Sequence, residues 1–318
     1  MLESSRILVT GATGLIGKTL VFNLIRRKAK VTVVVRDLEK AKRLFENHVQ
    51  YIVGDVRTVN FESLELDYII HAASQTSSQY FIKKPVETIS VAIDGTRNIL
   101  NNAIKQRKLK RFIYLSTMEV YGTPLDDSKI TEEHGSNLDT TSVRSCYPES
   151  KRMCENICIS YASEYGIPVN ILRLTQTFGP GVEYQDKRVF AEFARCAFEG
   201  KDIILQTKGE TRRSYLYTED AVNAILTVAK YGQPNLVYNG ANENTYCSIY
   251  EMAKMVADKL AGGRIKVIIK ENKSNDRGFA PVLHMNLDTT RLQKLGWEPK
   301  VDLYGMYKAL IDDWRKNI

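Results

Sequence analysis

Four times the chain sets a tyrosine four residues before a lysine: Tyr80/Lys84, Tyr147/Lys151, Tyr250/Lys254 and Tyr304/Lys308. On a helix that spacing puts both side chains on one face. An ammonium beside a phenol favours the phenolate, so the tyrosine pKa falls towards working pH and the group can take or return a substrate hydroxyl proton. The motif alone does not choose among the four, but its surroundings do. Only Tyr147/Lys151 follows a run carrying hydroxyls and a carboxylate, "YLSTMEVYG" (114–122), and only it opens a long helical stretch leading to another strand, "VNILRL". The other three read as surface tyrosines beside solvated lysines. Within 114–122, Ser116 and Thr117 supply hydroxyls and Glu119 a carboxylate, whereas Met118 is at best a weak acceptor with no proton to give.

A second group of residues suits a dinucleotide. "VTGATGLIGKTL" places Gly11, Gly14 and Gly17 directly after the first strand and at the mouth of the first helix. Glycine permits the tight turn, the close approach of backbone to a pyrophosphate, and close helix–strand packing. The helix mouth around Thr13, Leu15 and Ile16 offers free N–H groups to the anion. At the end of the second strand an acid would accept from both ribose hydroxyls of NAD, and an arginine would accommodate the 2′-phosphate of NADP. The chain has both, as Arg36 and Asp37, and Arg36 stands first off the strand, which tilts the expectation to NADP. Asp55 of "GDV", with Val56, is placed to reach the adenine, and Ala72, Ala73 and Ser74 of "HAAS" end the next strand beneath the cofactor.

The elements that must position these residues alternate. "RILVTG", a helix over 17–28, "KVTVVVR", a helix over 38–47, "VQYIVGDV", "LDYIIHAAS", a helix near 86–107 and "RFIYLSTMEVYG", read as one strand, follow in turn. Strands alternating with helices indicate right-handed βαβ units, and nearly continuous apolar strand cores indicate a parallel sheet covered on both faces. The expectation is an α/β fold: a doubly wound Rossmann domain over 1–174 and a smaller α/β lobe over 175–318, partly interleaved with it, where turn signals such as "FGPGVEYQDK" and "NGANENT" crowd in.

Bulk properties narrow the function. Runs such as "VTVVV" and "YIIHAA" are far shorter than the roughly 20 residues of a membrane span, and "MLESSRILVTG" leaves no room for a signal peptide, so a soluble cytoplasmic enzyme is expected. The five cysteines, Cys146, Cys154, Cys158, Cys196 and Cys247, form no Cys-x-x-Cys pair, and no histidine stands near Cys154 and Cys158; reduced thiols and no metal follow. The net charge of +8 comes from Lys and Arg scattered among 37 acids without an aromatic-basic cluster. That pattern suits small anions such as nucleotide phosphates rather than nucleic acid.

Taken together, "TGATGLIG", "GDV", "HAAS", "DGTRNIL", "STMEVYG", "YPESK", "RLTQTFGPG", "RRSYLYTEDAV" and "LGWEPKVDL" resemble, in order and over essentially the whole chain, the extended short-chain dehydrogenase/reductases of the NAD-dependent epimerase/dehydratase family, which act on nucleotide sugars. The resemblance implies that Thr117 is the catalytic hydroxyl, Tyr147 the acid/base and Lys151 its pKa-lowering partner, all at the nicotinamide. It implies that Arg213 and Arg277 bind the substrate diphosphate, that Arg188 and Val189 of "DKRVF" lie along the nucleotide, and that Ser116, Met118 and Gln176 face the substrate. Such enzymes commonly form homodimers through the helices near 93–107 and 148–165. Three positions depart from the pattern: Ala92 stands for the usual Asn, "YPESK" for "YG-x-SK", and Gln176 for an Asn. The implied first step is oxidation at sugar C4. A dehydration needs a base for the C5 proton, for which Glu119 is available, and usually an acid, which Met118 cannot be. Epimerisation at C4 is therefore the leading expectation. Decarboxylation, 4,6-dehydration and NADPH-dependent reduction of a 4-keto sugar are alternatives, and a non-enzymatic dinucleotide sensor is the opposing class.

Overall fold

The apolar runs of the N-terminal half become a parallel sheet because each strand is buried on both faces. The computed structural model describes residues 2–271 and 282–317. Its first elements are β1 (Arg6–Thr10), α1 (Leu15–Arg26), β2 (Lys30–Val35), α2 (Leu38–Phe45), β3 (Gln50–Val53) and β4 (Tyr68–His71). After these come α3 (Ser78–Lys83), α4 (Pro85–Ile104), β5 (Arg111–Thr117), α5 (Cys146–Tyr165) and β6 (Val169–Leu174). The chain continues through β7 (Gln176–Phe178), α6 (Val189–Glu199), β8 (Ile203–Leu205), β9 (Arg212–Tyr217), α7 (Thr218–Tyr231) and β10 (Leu236–Gly240). It closes with β11 (Asn242–Ser248), α8 (Ile249–Met255), β12 (Val267–Ile269), β13 (His284–Met285), α9 (Thr290–Gln293) and α10 (Leu303–Asn317).

The large sheet has seven parallel strands in the order β10-β6-β5-β4-β1-β2-β3. Side chains alternate between its faces. Ile7, Val9, Ile70, Ile113, Leu115, Leu172 and Leu174 pack under α1, α2 and α7. Leu8, Ile69, Phe112, Tyr114, Val169 and Ile171 pack under α4 and α5. Each such side chain removed from water contributes about 1.5–3 kcal/mol, so one continuous apolar run serves two layers. A second core, with Phe178, Phe190, Tyr215, Tyr307 and Trp314, joins α6, α8 and α10 to β8 and β9.

Two sequence readings need correction. The 114–122 run is not one strand: β5 stops at Thr117, and Met118–Tyr121 makes a single 3-10 turn that ends at Gly122, whose φ of +76° and closeness to Asn137 exclude a side chain. The first helix begins at Leu15 rather than 17, because Gly14 already caps it. Beyond residue 174, β10 joins the large sheet and α7 packs on it, and Leu292 and Trp297 complete its core.

Candidate active site

The strand order reverses between β1 and β4, and open α/β sheets bind ligands outside the carboxyl ends of their strands at such a point. A cleft of about 550 Å³ lies there. Its glycine turn is built by exclusion. Gly11 has φ +70°, and a Cβ on it would sit 2.7 Å from the Ala72–Ala73 backbone, while one on Gly17 would lie 2.1 Å from the Gly11 carbonyl oxygen. At Gly14 the nearest atom would be 3.4 Å away, so that side stays open. The Gly14 cap carries no side-chain hydrogen bond and no acid stands in the first turn of α1, so its N–H groups face the cleft beside Thr13, Leu15 and Ile16. These residues fit a dinucleotide pyrophosphate.

The ribose end separates the two candidates. Arg36 lines the cleft, whereas Asp37 does not: its carboxylate caps α2, accepting from Lys40 N at 2.9 Å. Asp55 lines the cleft but its oxygens lie in the fork of Arg57, at 2.9 and 3.0 Å, and that hydrogen bonding holds its carboxyl below the usual range. Val56, Ala72, Ala73 and Ser74 also line it, and Val56 occupies the space that a Cβ on Gly95 of α4 would need.

Thr117, Glu119, Tyr147 and Lys151 converge on the same cleft from β5, the turn after it and the start of α5. Tyr147 is buried and stacks on Phe81 of α3, with ring centres 4.4 Å apart and planes 9° from parallel. Burial raises its pKa well above the ordinary value and the Glu119 charge adds to that; a hydrogen bond with Thr117 and the charge of Arg144 oppose. The Lys151 ammonium donates to the Leu115 carbonyl oxygen at 2.8 Å and lies 4.7 Å from the Tyr114 ring centre, and burial lowers its own pKa to about 8.

Sequence reasoning missed Arg144. It stands three residues before Tyr147, pairs with Glu119 at 2.8 Å and stacks on Phe81 with its guanidinium carbon 4.8 Å from the ring centre. A cation just ahead of the tyrosine was the available signal. Tyr80, taken for a surface residue, lines the cleft with Gln75, Thr76, Ser78 and Thr175. Tyr250 and Tyr304 are exposed as expected, and Lys254 and Lys308 pair with Asp258 and Asp312.

Among the substrate candidates, Gln176, Arg188 and Arg213 line the cleft. Arg188 forks onto Asp186 at 2.6–3.0 Å. Arg213 has no acidic partner among the described residues, and its Nε is buried without a hydrogen bond, which suits an anionic ligand. Val189, next to Arg188, is exposed on α6 and is not among the residues that line the cleft. Ser116 borders the cleft, but its hydroxyl is turned into α5, where it donates to Glu155 rather than towards a sugar. Met118 also borders the cleft, yet it is buried with Val120, Tyr121, Ile130, Ala241, Met285 and Leu287, and its sulfur lies 3.2 Å from the Thr175 hydroxyl. Arg277 lies outside the described residues. Among those described, no cluster of His, Cys, Asp or Glu could hold a metal, all five cysteines are free thiols, and no helix is long and apolar enough to cross a membrane.

A doubly wound parallel sheet, an open glycine turn and a Tyr-Lys helix beside it define a nicotinamide-dinucleotide-dependent enzyme of the extended short-chain dehydrogenase/reductase class. The model of the NAD dependent epimerase/dehydratase family matches residues 7–241, and the chain belongs to that family. It is 31% identical to UDP-glucuronic acid decarboxylase 6 of Arabidopsis thaliana over 99% of this chain and 90% of that one. With UDP-glucuronic acid decarboxylase 1 of Xenopus tropicalis it shares 29% over 99% of this chain and 73% of the relative. The UDP-glucose 4-epimerase of Thermotoga maritima, solved with UDP-glucose, superposes with a TM-score of 0.83 at 25% identity, covering 98% of this chain and 99% of that one. The chain is accordingly an NAD(P)-dependent nucleotide-sugar-modifying enzyme.

Proposed function

We propose that the protein oxidises the C4 hydroxyl of a nucleoside-diphosphate hexose to a 4-keto sugar and then restores the C4 alcohol, so that its cofactor is recycled. One observation carries this reading. Thr117 and Tyr147 present two hydroxyls at the mouth of the dinucleotide cleft, while the groups a dehydration would need are otherwise engaged: Glu119 by Arg144, and Met118 in an apolar cluster. A bound nicotinamide would supply the acceptor for the C4 hydride and the donor for its return. Tyr147, as phenolate, takes the O4 proton as the C4–H bond breaks and returns it when the alcohol re-forms. The Thr117 hydroxyl and the Arg144 charge favour the phenolate, against the burial and the Glu119 charge that raise the phenol's pKa. Arg213 would hold the diphosphate and Arg188 would lie along the nucleotide.

Of the routes open to the 4-keto sugar, epimerisation asks least of these side chains, because the ketone need only turn over before the hydride returns. Decarboxylation of a C6 carboxylate is the second reading. It also needs no added acid, and it is favoured by the names of the plant and frog relatives. Arg36, facing the cleft where Asp37 does not, favours NADP. The exposed Ile82, Val86, Ile89 and Met153 on and beside α4 and α5 suit a homodimer through these helices, and the free thiols suit a cytoplasmic setting.

The test is incubation with a panel of nucleotide sugars, with and without added reduced cofactor. A C4-inverted product without net cofactor consumption is expected. Release of carbon dioxide from a uronate assigns decarboxylation. A 4-keto-6-deoxy product or stoichiometric NADPH use displaces both readings. Absence of turnover, with cofactor binding intact, returns the dinucleotide-sensor class.

A further inference from the structure

Two successive turns of α5 grip two successive residues of β5. Lys151 Nζ donates to the Leu115 carbonyl oxygen at 2.8 Å, and four residues on, Glu155 Oε1 accepts from the Ser116 hydroxyl at 2.5 Å. The next residue is Thr117. Glu155 is 8% exposed, and its charge is matched from β6 by Arg173, the residue in register with Ser116. Arg173 Nε lies 3.0 and 3.2 Å from the two carboxylate oxygens and a terminal nitrogen lies 2.6 Å from Oε2. Its other terminal nitrogen donates to the Tyr121 hydroxyl and the Glu132 carbonyl oxygen, both at 2.9 Å, and the Tyr121 hydroxyl donates to Asn239 Oδ1 at 2.7 Å. The network thus ties α5, the end of β5, β6, the turn after Thr117 and β10 together, and each of these side chains has partners.

Stability does not explain a buried ion pair of this kind, because well-packed apolar residues of similar volume are commonly as stable or more so. Nor does Glu155 reach the cleft. What it touches is the strand end that carries Thr117, on the helix that carries Tyr147 and Lys151.

We propose that Glu155 and Arg173 are a positioning pair: Glu155 fixes Ser116, and so the direction in which Thr117 presents its hydroxyl to Tyr147, while Arg173 neutralises the carboxylate that would otherwise act on Lys151. The proposal rests on the C4-oxidation reading. Misplacing a reacting group by about 1 Å costs on the order of 100-fold in rate, so a strand end held by one hydroxyl is a sensitive point. The charges and titratable groups around the carboxylate are Lys151, Cys154 and Cys158 on its own helix, Tyr114 on β5, Arg173 on β6, and Tyr121 and Glu132 beyond it. Glu155 itself favours the charged form of Lys151.

The experiment follows nicotinamide reduction in a single turnover with a nucleotide sugar, in wild type and three variants. Glu155→Met/Arg173→Met removes both charges at similar volume. It should fold, bind the nucleotide sugar within about threefold of wild type, and reduce the nicotinamide about 10- to 100-fold more slowly. Glu155→Gln keeps an oxygen for Ser116 but removes a charge that favours protonated Lys151, so the alkaline limb of the rate profile, where Lys151 gives up its proton, moves down by about half a unit to one unit. Ser116→Ala slows the step and leaves the profile in place. A double variant at the wild-type rate overturns the proposal, as does a Glu155→Gln profile that superposes on wild type. So does a double variant that fails to fold while Ser116→Ala keeps the full rate. If the wild-type protein reduces its nicotinamide with no nucleotide sugar of the panel, while still binding them, the C4-oxidation reading fails instead.

Discussion

His71 makes the stability of the dinucleotide turn depend on acid, and the size of the effect can be worked out. The ring is buried at the end of β4. Thr10 Oγ accepts from Ala73 N at 3.1 Å and shares a hydrogen bond with His71 Nδ1 at 2.7 Å, and Nε2 shares one with Thr96 Oγ at 3.2 Å. Hydroxyls can serve either tautomer of the neutral ring, and no carboxylate is among these partners to hold an imidazolium. Burial, and then the charge of Lys151, lower the His71 pKa from 6.5 to about 3. Because the folded value lies below the unfolded one, the unfolded chain binds the extra proton in the window between them, and stability falls as pH drops from about 6.5 towards 3. At 1.36 kcal/mol per unit, moving from pH 7 to pH 5 crosses about 1.5 units of that window and costs about 2 kcal/mol. Urea unfolding at both pH values, for wild type and His71→Gln, isolates this contribution, since the carboxylates titrate alike in both proteins. His71→Gln should be less stable at pH 7 by about 1–2 kcal/mol for its lost hydrogen bonding, and the gap should close by pH 5. An equal loss from pH 7 to pH 5 in both proteins would refute the reasoning.

Other changes have equally definite outcomes. Tyr147→Phe should lower the rate of nicotinamide reduction by about 10²- to 10⁴-fold while cofactor titration is unchanged; a smaller loss would remove Tyr147 from the proton transfer. Gly17→Ala should fail to melt cooperatively because of the Gly11 carbonyl, whereas Gly14→Ala should melt like wild type yet bind the dinucleotide at least about tenfold more weakly. Equal behaviour of the two variants would contradict the packing of the turn. Met118→Ala should lose about 2–5 kcal/mol in denaturant titration, and Met118→Leu less than about 1.5 kcal/mol; a silent Met118→Ala would place the side chain outside the core. Arg36→Gln should weaken NADP about tenfold with NAD unchanged, and an equal effect on both cofactors would remove the ribose assignment.

The order of strands and helices was legible because each relevant signal is local. Strands buried on both faces read as apolar runs, and Gly11 and Gly17 are dictated by atoms within a few residues or on the neighbouring strand. Thr117, Tyr147 and Lys151 could be picked out because a strand end and the helix after it fix them. What escaped was set by packing over long separations. Glu119 meets Arg144 only because the chain between them folds back, and Met118 is buried by Met285 and Leu287, more than 160 residues away. Asp37 was ambiguous for a different reason: an Asp three residues before Lys40 is as good a helix cap as it is a ribose ligand, and the backbone of α2 took it.

The return of β10 and α7 to the large sheet constrains how this gene can be cut. A fragment ending at Leu174 would carry β6 with Asn170–Leu174 stripped of the strand that pairs with them in register. Its outer border would then be an apolar strand with open backbone groups, the template on which chains add to one another. On the other face, Leu20, Val21 and Leu24 of α1 would lose the cover of α7. The first 174 residues hold the glycine turn and the hydroxyls of Thr117 and Tyr147, yet expressed alone they should accumulate as aggregates. Shuffling between relatives should succeed only where the crossover carries α7 and β10 along.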